Sequence, residues 1–535
     1  MNMRSSQIVS LISLFLLPQM STAQEMGWDE RINEWFTPIS NWWLDVVLHN
    51  FPGTEIPTII FLLVIGALFF TIYFGFVNIR RFPLAINVVR GKYDDIEGHG
   101  LEEKTQVNVV DGDLPDTIRD ESKDGEVTHF QALATAVSGT VGNGNIAGVA
   151  LAIAIGGPGA TFWMIVCGLL GMSTKFVECT LGVKYRDIGP DGTVYGGPMY
   201  YMTKGLKEKG LHGLGKVLAV TFAVLCVGAS FGGGNAAQSN QAAMSIVEQF
   251  GIQGDNARTF IGLILAVFVG IIIIGGIKRI ASVTEKVVPF MAIMYLLACI
   301  YILGVNFSSI DDAFGQIFSQ AFNPQAGLGG LMGVLITGFR RAAFSNEAGA
   351  GSASIAHSAV KTKFAASEGL VALLEPFIDT VVICTMTALV IIIFNTGGAE
   401  FAYGGDGSGG VTIDGQFLEG AGITSAAFGK YIPFAGPFLM IAVCLFAVST
   451  MISWSYYGLQ SWKYIFGKGR ISDLSYKLLF LVFVVIGAAG DMSAVWGFSD
   501  AMILALVFPN MIALIILFPR VREELTRYLS AIGKS

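Results

Sequence analysis

Residues 130–159, FQALATAVSGTVGNGNIAGVALAIAIGGPG, decide how the rest of the chain is read. The stretch is apolar enough to sit in a bilayer, yet its middle runs Ser138-Gly139-Thr140-Val141-Gly142-Asn143-Gly144-Asn145. Glycine gives up helical order and Asn competes for backbone hydrogen bonds, so this helix should come apart halfway. In lipid, unwound backbone persists only where protein or a watery cavity satisfies its N–H and C=O groups. A helix interrupted at the bilayer middle is therefore an expected binding place for a substrate and an ion.

The surrounding composition agrees. Of 535 residues, 53% are hydrophobic and 14% charged, with a mean hydropathy of +0.62. Soluble domains carry about a quarter charged residues, so this is a polytopic, all-α membrane protein. The net charge of −7, with no long basic run, argues against a nucleic-acid partner. All six cysteines fall in apolar segments, which favours packing over a disulfide framework. At the N-terminus Arg4, a short apolar core over 8–17 and Ser21-Thr22-Ala23 read as a signal peptide spanning 1–23.

At about 20 apolar residues per span, the chain holds about eleven. They are 56–77, the interrupted 130–159, 161–183, 217–247, 260–277 and 287–303, then 328–360, 370–394, 432–454, 478–489 and 498–518. Residues 24–128 thus comprise a Trp-rich interfacial helix, one extra span and a hydrophilic loop at 94–127, expected to be flexible. Two groups of five follow, 129–305 and 326–519, with a tail at 520–535. Connections bearing Lys and Arg (80–92, 184–216, 278–286, 361–363, 463–477, 520–527) fall on alternate sides. The positive-inside rule then puts the C-terminus in the cytoplasm of a cell (inner) membrane protein and the N-terminus outside.

Five is odd, so the two groups have opposite orientation. The second also opens with a break, Phe344-Ser345-Asn346-Glu347-Ala348-Gly349-Ala350-Gly351-Ser352. Matched interruptions in inverted halves point to a site between them. Gly142, Gly144 and Asn145, with Ser138 alongside, are candidates to face a small carboxylate-bearing substrate; Ser345 and Asn346 would add polar contacts and Phe344 would close over it. Asn145 and Asn346 could instead only stitch helices together. In the third span of the first group, 217–247, Gln238 and Gln241 share a helix face, and Gln241 is the candidate substrate contact. A sodium ion needs neutral hard oxygens, which the Ser449 and Thr450 hydroxyls and the backbone near Thr140 and Asn143 supply, unless those hydroxyls bond their own helix. Lys175 and Glu178 are spaced to pair, and Arg340, Arg341, Glu347 and Asp379 form an ion-pair gate, coordinate the coupling to ions, or make structural pairs. No HExxH, Cys/His cluster or GxxxxGK[ST] occurs, so neither a resident metal or cofactor, nor ATP, nor enzyme chemistry is indicated.

The runs GTVGNGNIAGVA and GGPGATFWM, then GGPMYY at 196–201, then FRRAAFSNEAGAGSASIAHSAVKT at 339–362, closely resemble the alanine/glycine:cation symporter family. The resemblance covers about residues 51–519, with Asn143 standing where the family more often has Thr. It implies a leucine-transporter-type five-plus-five inverted repeat with one added N-terminal helix. It also implies import of alanine, glycine or a related small neutral amino acid with Na⁺, sometimes H⁺, by alternating access. The matching positions for the site are Gly142 to Asn145, Gln241, and Phe344 with its neighbours.

Overall fold

The computed structural model describes residues 27–97, 125–189, 192–322, 330–404 and 409–534; the expected signal peptide and most of the 94–127 loop lie outside them. Helices account for nearly all of it. α1 (Trp28–Val47) is amphipathic, burying Phe36 and Val47 while Trp28, Trp35 and Trp42 stay exposed, as suits an interfacial helix. α2 (Thr58–Tyr73) follows. The first interrupted span consists of α3 (His129–Thr140) and α4 (Val149–Gly156), joined through a π-turn at Gly144–Gly148 and bent by 52°. A reciprocal capping box of Thr128 and Gln131 starts α3, and the Gly/Asn run ends it.

The rest of the first half is α5 (Gly159–Lys184), α6 (Pro198–Glu208), α7 (His212–Phe231), α8 (Ala237–Phe250), α9 (Ala257–Ile273), α10 (Gly276–Val305) and α11 (Ile310–Phe322). α7 and α8 form one 39-residue span with a π-turn at Gly232–Ala236. The second half opens with α12 (Gly330–Asn346) and α13 (Ser354–His357). Next come α14 (Ala365–Ala372) and α15 (Thr385–Phe394), with a π-helical stretch at Phe377–Cys384 between them. The long connection after α15 is folded. It forms the hairpin β3 (Val411–Ile413) and β4 (Gln416–Leu418), turning on Asp414-Gly415 at φ +51° and +78°, then α16 (Ala421–Gly429). A smaller hairpin, β1 (Asp187–Ile188) with β2 (Val194–Tyr195), follows α5. The chain ends with α17 (Ala435–Phe466), α18 (Arg470–Ala489), α19 (Met492–Ala505) and α20 (Val507–Ala531).

Among the described residues seven helices are long and apolar enough to cross a membrane, and the bent α3–α4 pair makes an eighth. The expected spans over α2, α9 and α12 are shorter, at 16 to 17 residues. The interrupted helices sit inside, while α9 and α10 turn Phe260, Val267, Phe290 and Leu297 outward, the arrangement expected when the solvent is hydrocarbon.

Four expectations are corrected. The second break lies at 347–353, so Phe344, Ser345 and Asn346 are the last turn of a helix. It falls there because Glu347, Gly349 and Gly351 take φ of +56°, +95° and +83°, which a right-handed helix cannot carry. The connection expected at 278–286 is helical, because Lys, Arg and Glu are good helix formers and carry α10 back to Gly276. The connection expected at 490–497 shrinks to Gly490-Asp491. The ends of the hydrophilic loop are pinned: Glu97 is buried, and Val127 pairs with Val360.

Candidate functional site

The two interruptions meet on one carboxylate. Asn145, in the π-turn after α3, donates from Nδ2 to Asp379 Oδ1 at 2.6 Å and to its carbonyl at 3.1 Å. Ser345, in the last turn of α12, donates from Oγ to the same side chain at 2.8 Å and 3.1 Å. Thr380 Oγ1 donates to Asp379 Oδ2 at 2.7 Å and accepts from Asn346 Nδ2 at 2.9 Å. Asp379 is fully buried in the π-helical stretch, where the wider turn shifts its side chain round relative to a regular helix. Instead of the ion pair considered for it, it gathers neutral donors from three segments.

A second junction joins α3 to α17. Ser138 Oγ donates to the carbonyl of Ser449 at 2.7 Å, and Thr450 Oγ1 donates to the carbonyl of Ser138 at 3.1 Å and approaches that of Val141 at 3.5 Å. A Cβ on Gly142 would stand 2.4 Å from Thr450 Oγ1, so only glycine lets the broken end of α3 come this close to α17. Of the two hydroxyls expected at a sodium site, Thr450 alone points to this junction, and the Val141 carbonyl beside it comes from the backbone expected near Thr140. Ser449 bonds back to the Phe446 carbonyl at 3.1 Å, and Thr140 to Ala136 and Val137, both at 3.3 Å. Asn143 turns away: its N–H donates to Gln238 Oε1 at 2.9 Å and its Nδ2 to the Gln238 carbonyl at 3.2 Å, leaving its Oδ1 buried without a hydrogen-bond partner.

Phe344 stacks on Trp496 with centroids 5.1 Å apart, and a Cβ on Gly144 would lie 3.3 Å from the Phe344 ring, so the aromatic covers the first break. Gln241 stands apart from the other candidates. Its Oε1 accepts from Ala421 N at 3.0 Å, and it closes one end of a cavity of about 420 Å³ that also contacts Met244, Glu248 and Leu418. Gln238, its neighbour one turn back, holds the first break instead, braced by donation to the Gly233 carbonyl at 2.9 Å.

Other charged residues pair differently from expectation. Lys175 reaches Glu375 at 3.0 Å, and Glu178 accepts from Gly349 N and Asn510 Nδ2, because the partners three residues along the helix lose to partners across the core. Arg340 and Arg341 both pair with Asp500 on α19. Asp500 and Trp496 were missed because Asp500 looks like an ordinary residue of a late span and Trp496 falls in the connection expected at 490–497; their i,i+4 spacing, which puts both on one helix face once that connection is helical, was the available signal.

An all-helical membrane protein in which two broken helices share their polar groups is a transporter by class. This chain belongs to the sodium:alanine symporter family, matching it over residues 40–534, which places it among Na⁺-coupled amino-acid symporters. It is 39% identical over 480 residues to the sodium/alanine symporter AgcS of Methanococcus maripaludis, covering 90% of this chain and 95% of that protein. It is 33% identical over 404 residues to the probable sodium/glutamine symporter GlnT of Bacillus subtilis, covering 75% and 78%. Among solved structures, MhsT in complex with L-phenylalanine aligns with a TM-score of 0.48 at 15% identity, covering 74% of this chain and 99% of that one.

Proposed function

We propose that this chain imports alanine, glycine or a similar small neutral amino acid together with Na⁺, by alternating access through an eleven-span, five-plus-five inverted repeat with a cytoplasmic C-terminus. The observation that carries the reading is the convergence of both interruptions: Asn145 from the first and Ser345 from the second end on Asp379. The substrate sits at Gly142, Gly144 and Asn145, with Ser138, Ser345 and Asn346 around it, and its carboxylate meets the N-terminal end of the helix that resumes at Gly144. Phe344 roofs the site, its ring 3.3 Å from where a Cβ on Gly144 would stand. Gln241 lines the outer approach rather than the innermost contact.

Sodium rests at the α3–α17 junction, on the carbonyls of Ser138 and Val141 and the Thr450 hydroxyl, all neutral hard oxygens. Because those carbonyls belong to the broken helix that holds the substrate, ion binding raises substrate affinity, and the coupling is reciprocal. The family name and the relative that carries sodium and alanine support alanine over larger cargo. Radiolabelled alanine uptake into proteoliposomes tests the reading. An imposed Na⁺ gradient should drive accumulation, and glycine should compete. Uptake indifferent to both Na⁺ and H⁺ gradients would rule out symport.

A further inference from the structure

The substrate and sodium positions leave unused a row of buried titratable groups on the side of the C-terminal helix. Glu97 Oε2 lies 2.8 Å from His129 Nε2, and the other ring nitrogen of His129 meets Glu368. Glu368 Oε1 is 2.5 Å from His357 Nδ1, His357 Nε2 faces Glu375 Oε2 at 3.5 Å, and Glu375 Oε1 holds Lys175 Nζ at 3.0 Å. None of these six residues is more than 4% exposed. Two further carboxylates adjoin the row. Glu347, inside the second break, accepts from Trp454 Nε1 at 2.8 Å and from Ser352, and Glu178 accepts from Gly349 N at 2.9 Å and Asn510 Nδ2 at 2.8 Å. The other titratable groups facing the row are Cys179, Tyr201, Cys226, Tyr457 and Tyr528, the last donating to Glu97 at 2.9 Å, and Asp379 of the candidate site, which faces Glu375.

Charge decides what the row must hold. Among the described residues it sets five carboxylates against one ammonium and two imidazoles, so even with every base charged two carboxylates lack a counter-ion. A buried charge without a partner is neutralised instead, here by a proton. The row is loosest between His357 Nε2 and Glu375 Oε2, a buried ion-pair contact at 3.5 Å that is longer than an ordinary hydrogen bond. Its placement gives those protons a consequence. His129 is the first residue of α3 and His357 the last of α13, and Glu368 grips both, so one carboxylate ties together the ends of the two interrupted helices. If α3 swings away from α13, that grip must break and the row must meet water.

Building on the symport reading, we propose that this row is a proton-binding site, separate from the substrate and sodium positions, whose occupancy is set from the cytoplasm and latches the inner side shut. Protonated imidazoles bridge the carboxylates and hold the latch. When α3 swings away the row meets the inner water, and the higher the internal pH the more readily the imidazoles give up their protons there, so the carboxylates left unscreened hold the inner side open.

The test varies internal pH alone in proteoliposomes, with outer pH and the Na⁺ gradient fixed. Initial uptake should rise with internal pH, by about tenfold per unit where one linked proton titrates. Glu368→Gln should flatten that response while keeping the half-saturating Na⁺ concentration. Wild-type uptake that ignores internal pH, falls with it, or follows outer pH equally would overturn the proposal, whether or not the variant inserts. Those outcomes leave Na⁺-driven symport standing, whereas wild-type uptake indifferent to both Na⁺ and H⁺ gradients would instead remove the symport reading.

Discussion

At the scale of single residues, two glycines two positions apart do different work. Gly142 faces Thr450 and Gln238, where a Cβ would come within 2.4 Å and 3.0 Å of side-chain oxygens. Gly142→Ala must therefore push Thr450 off the carbonyls of Ser138 and Val141. Ligand-shell damage of that kind costs about 10–100-fold in ion affinity, so the half-saturating Na⁺ for uptake should rise by that order. Gly144 has more room, its nearest would-be contact being Phe344 at 3.3 Å. Gly144→Ala should keep most transport, while Gly144→Val fills the space beneath the ring and should abolish uptake without preventing membrane insertion. Equal effects of the two alanine variants on Na⁺ dependence would contradict the assignment.

Elements show why part of this site could be read from the sequence and part could not. The first break was legible because five successive residues, Gly142 to Ile146, include two Gly and two Asn inside an otherwise apolar helix. The second was read three residues early, because apolar, small and polar residues in one turn of α12 are compatible with helix; only the left-handed backbone at Glu347 fixes where the helix stops. Choosing between Gln238 and Gln241 needed the rotation of α8 relative to α3, which depends on the π-turn at Gly232–Ala236 and which periodicity alone does not supply. The same limit applies to Ser449 and Thr450, adjacent hydroxyls about 100° apart around α17. Ser449 bonds within its own helix and Thr450 reaches across to α3, so Thr450→Ala should weaken Na⁺ dependence by about tenfold or more, and Ser449→Ala far less. Sodium titrations of uptake for the two variants side by side check this, and a larger effect at Ser449 would move the ion elsewhere on α17.

Across the whole molecule, the site lies between two charged closures of different construction. On the side of the C-terminal helix is the Glu/His/Lys row. On the other side, one to two turns before the second break, Arg340 and Arg341 of α12 share Asp500 of α19, with Arg340 Nε at 2.8 Å from Asp500 Oδ2. The Arg341 guanidinium also lies 5.6 Å and 5.7 Å from the Phe344 and Trp496 ring centres, so this closure is continuous with the roof over the substrate. Long-range pairing of this kind is invisible to sequence reading, since 159 residues separate Arg341 from Asp500. Removing one partner of a buried ion pair strands the other, at about 3–5 kcal/mol. Asp500→Asn should therefore destabilise the closed arrangement: α12 and α19 separate, the purified protein melts earlier, and the protein spends more time open to the outside. Cys384 reports this directly, because it is buried beside the candidate site, its sulfur 3.3 Å from Asn145 Nδ2 and 3.4 Å from Ser345 Oγ. A small membrane-impermeant thiol reagent added outside should label Cys384 faster in Asp500→Asn than in the wild type, and added amino acid should slow that labelling. The gain should vanish in the Asp500→Asn, Cys384→Ser double variant, which separates it from reaction at the partly buried Cys444. Wild-type protection of Cys384 together with an unchanged melting temperature would mean that the Arg–Asp cluster only braces α12 against α19 and gates nothing.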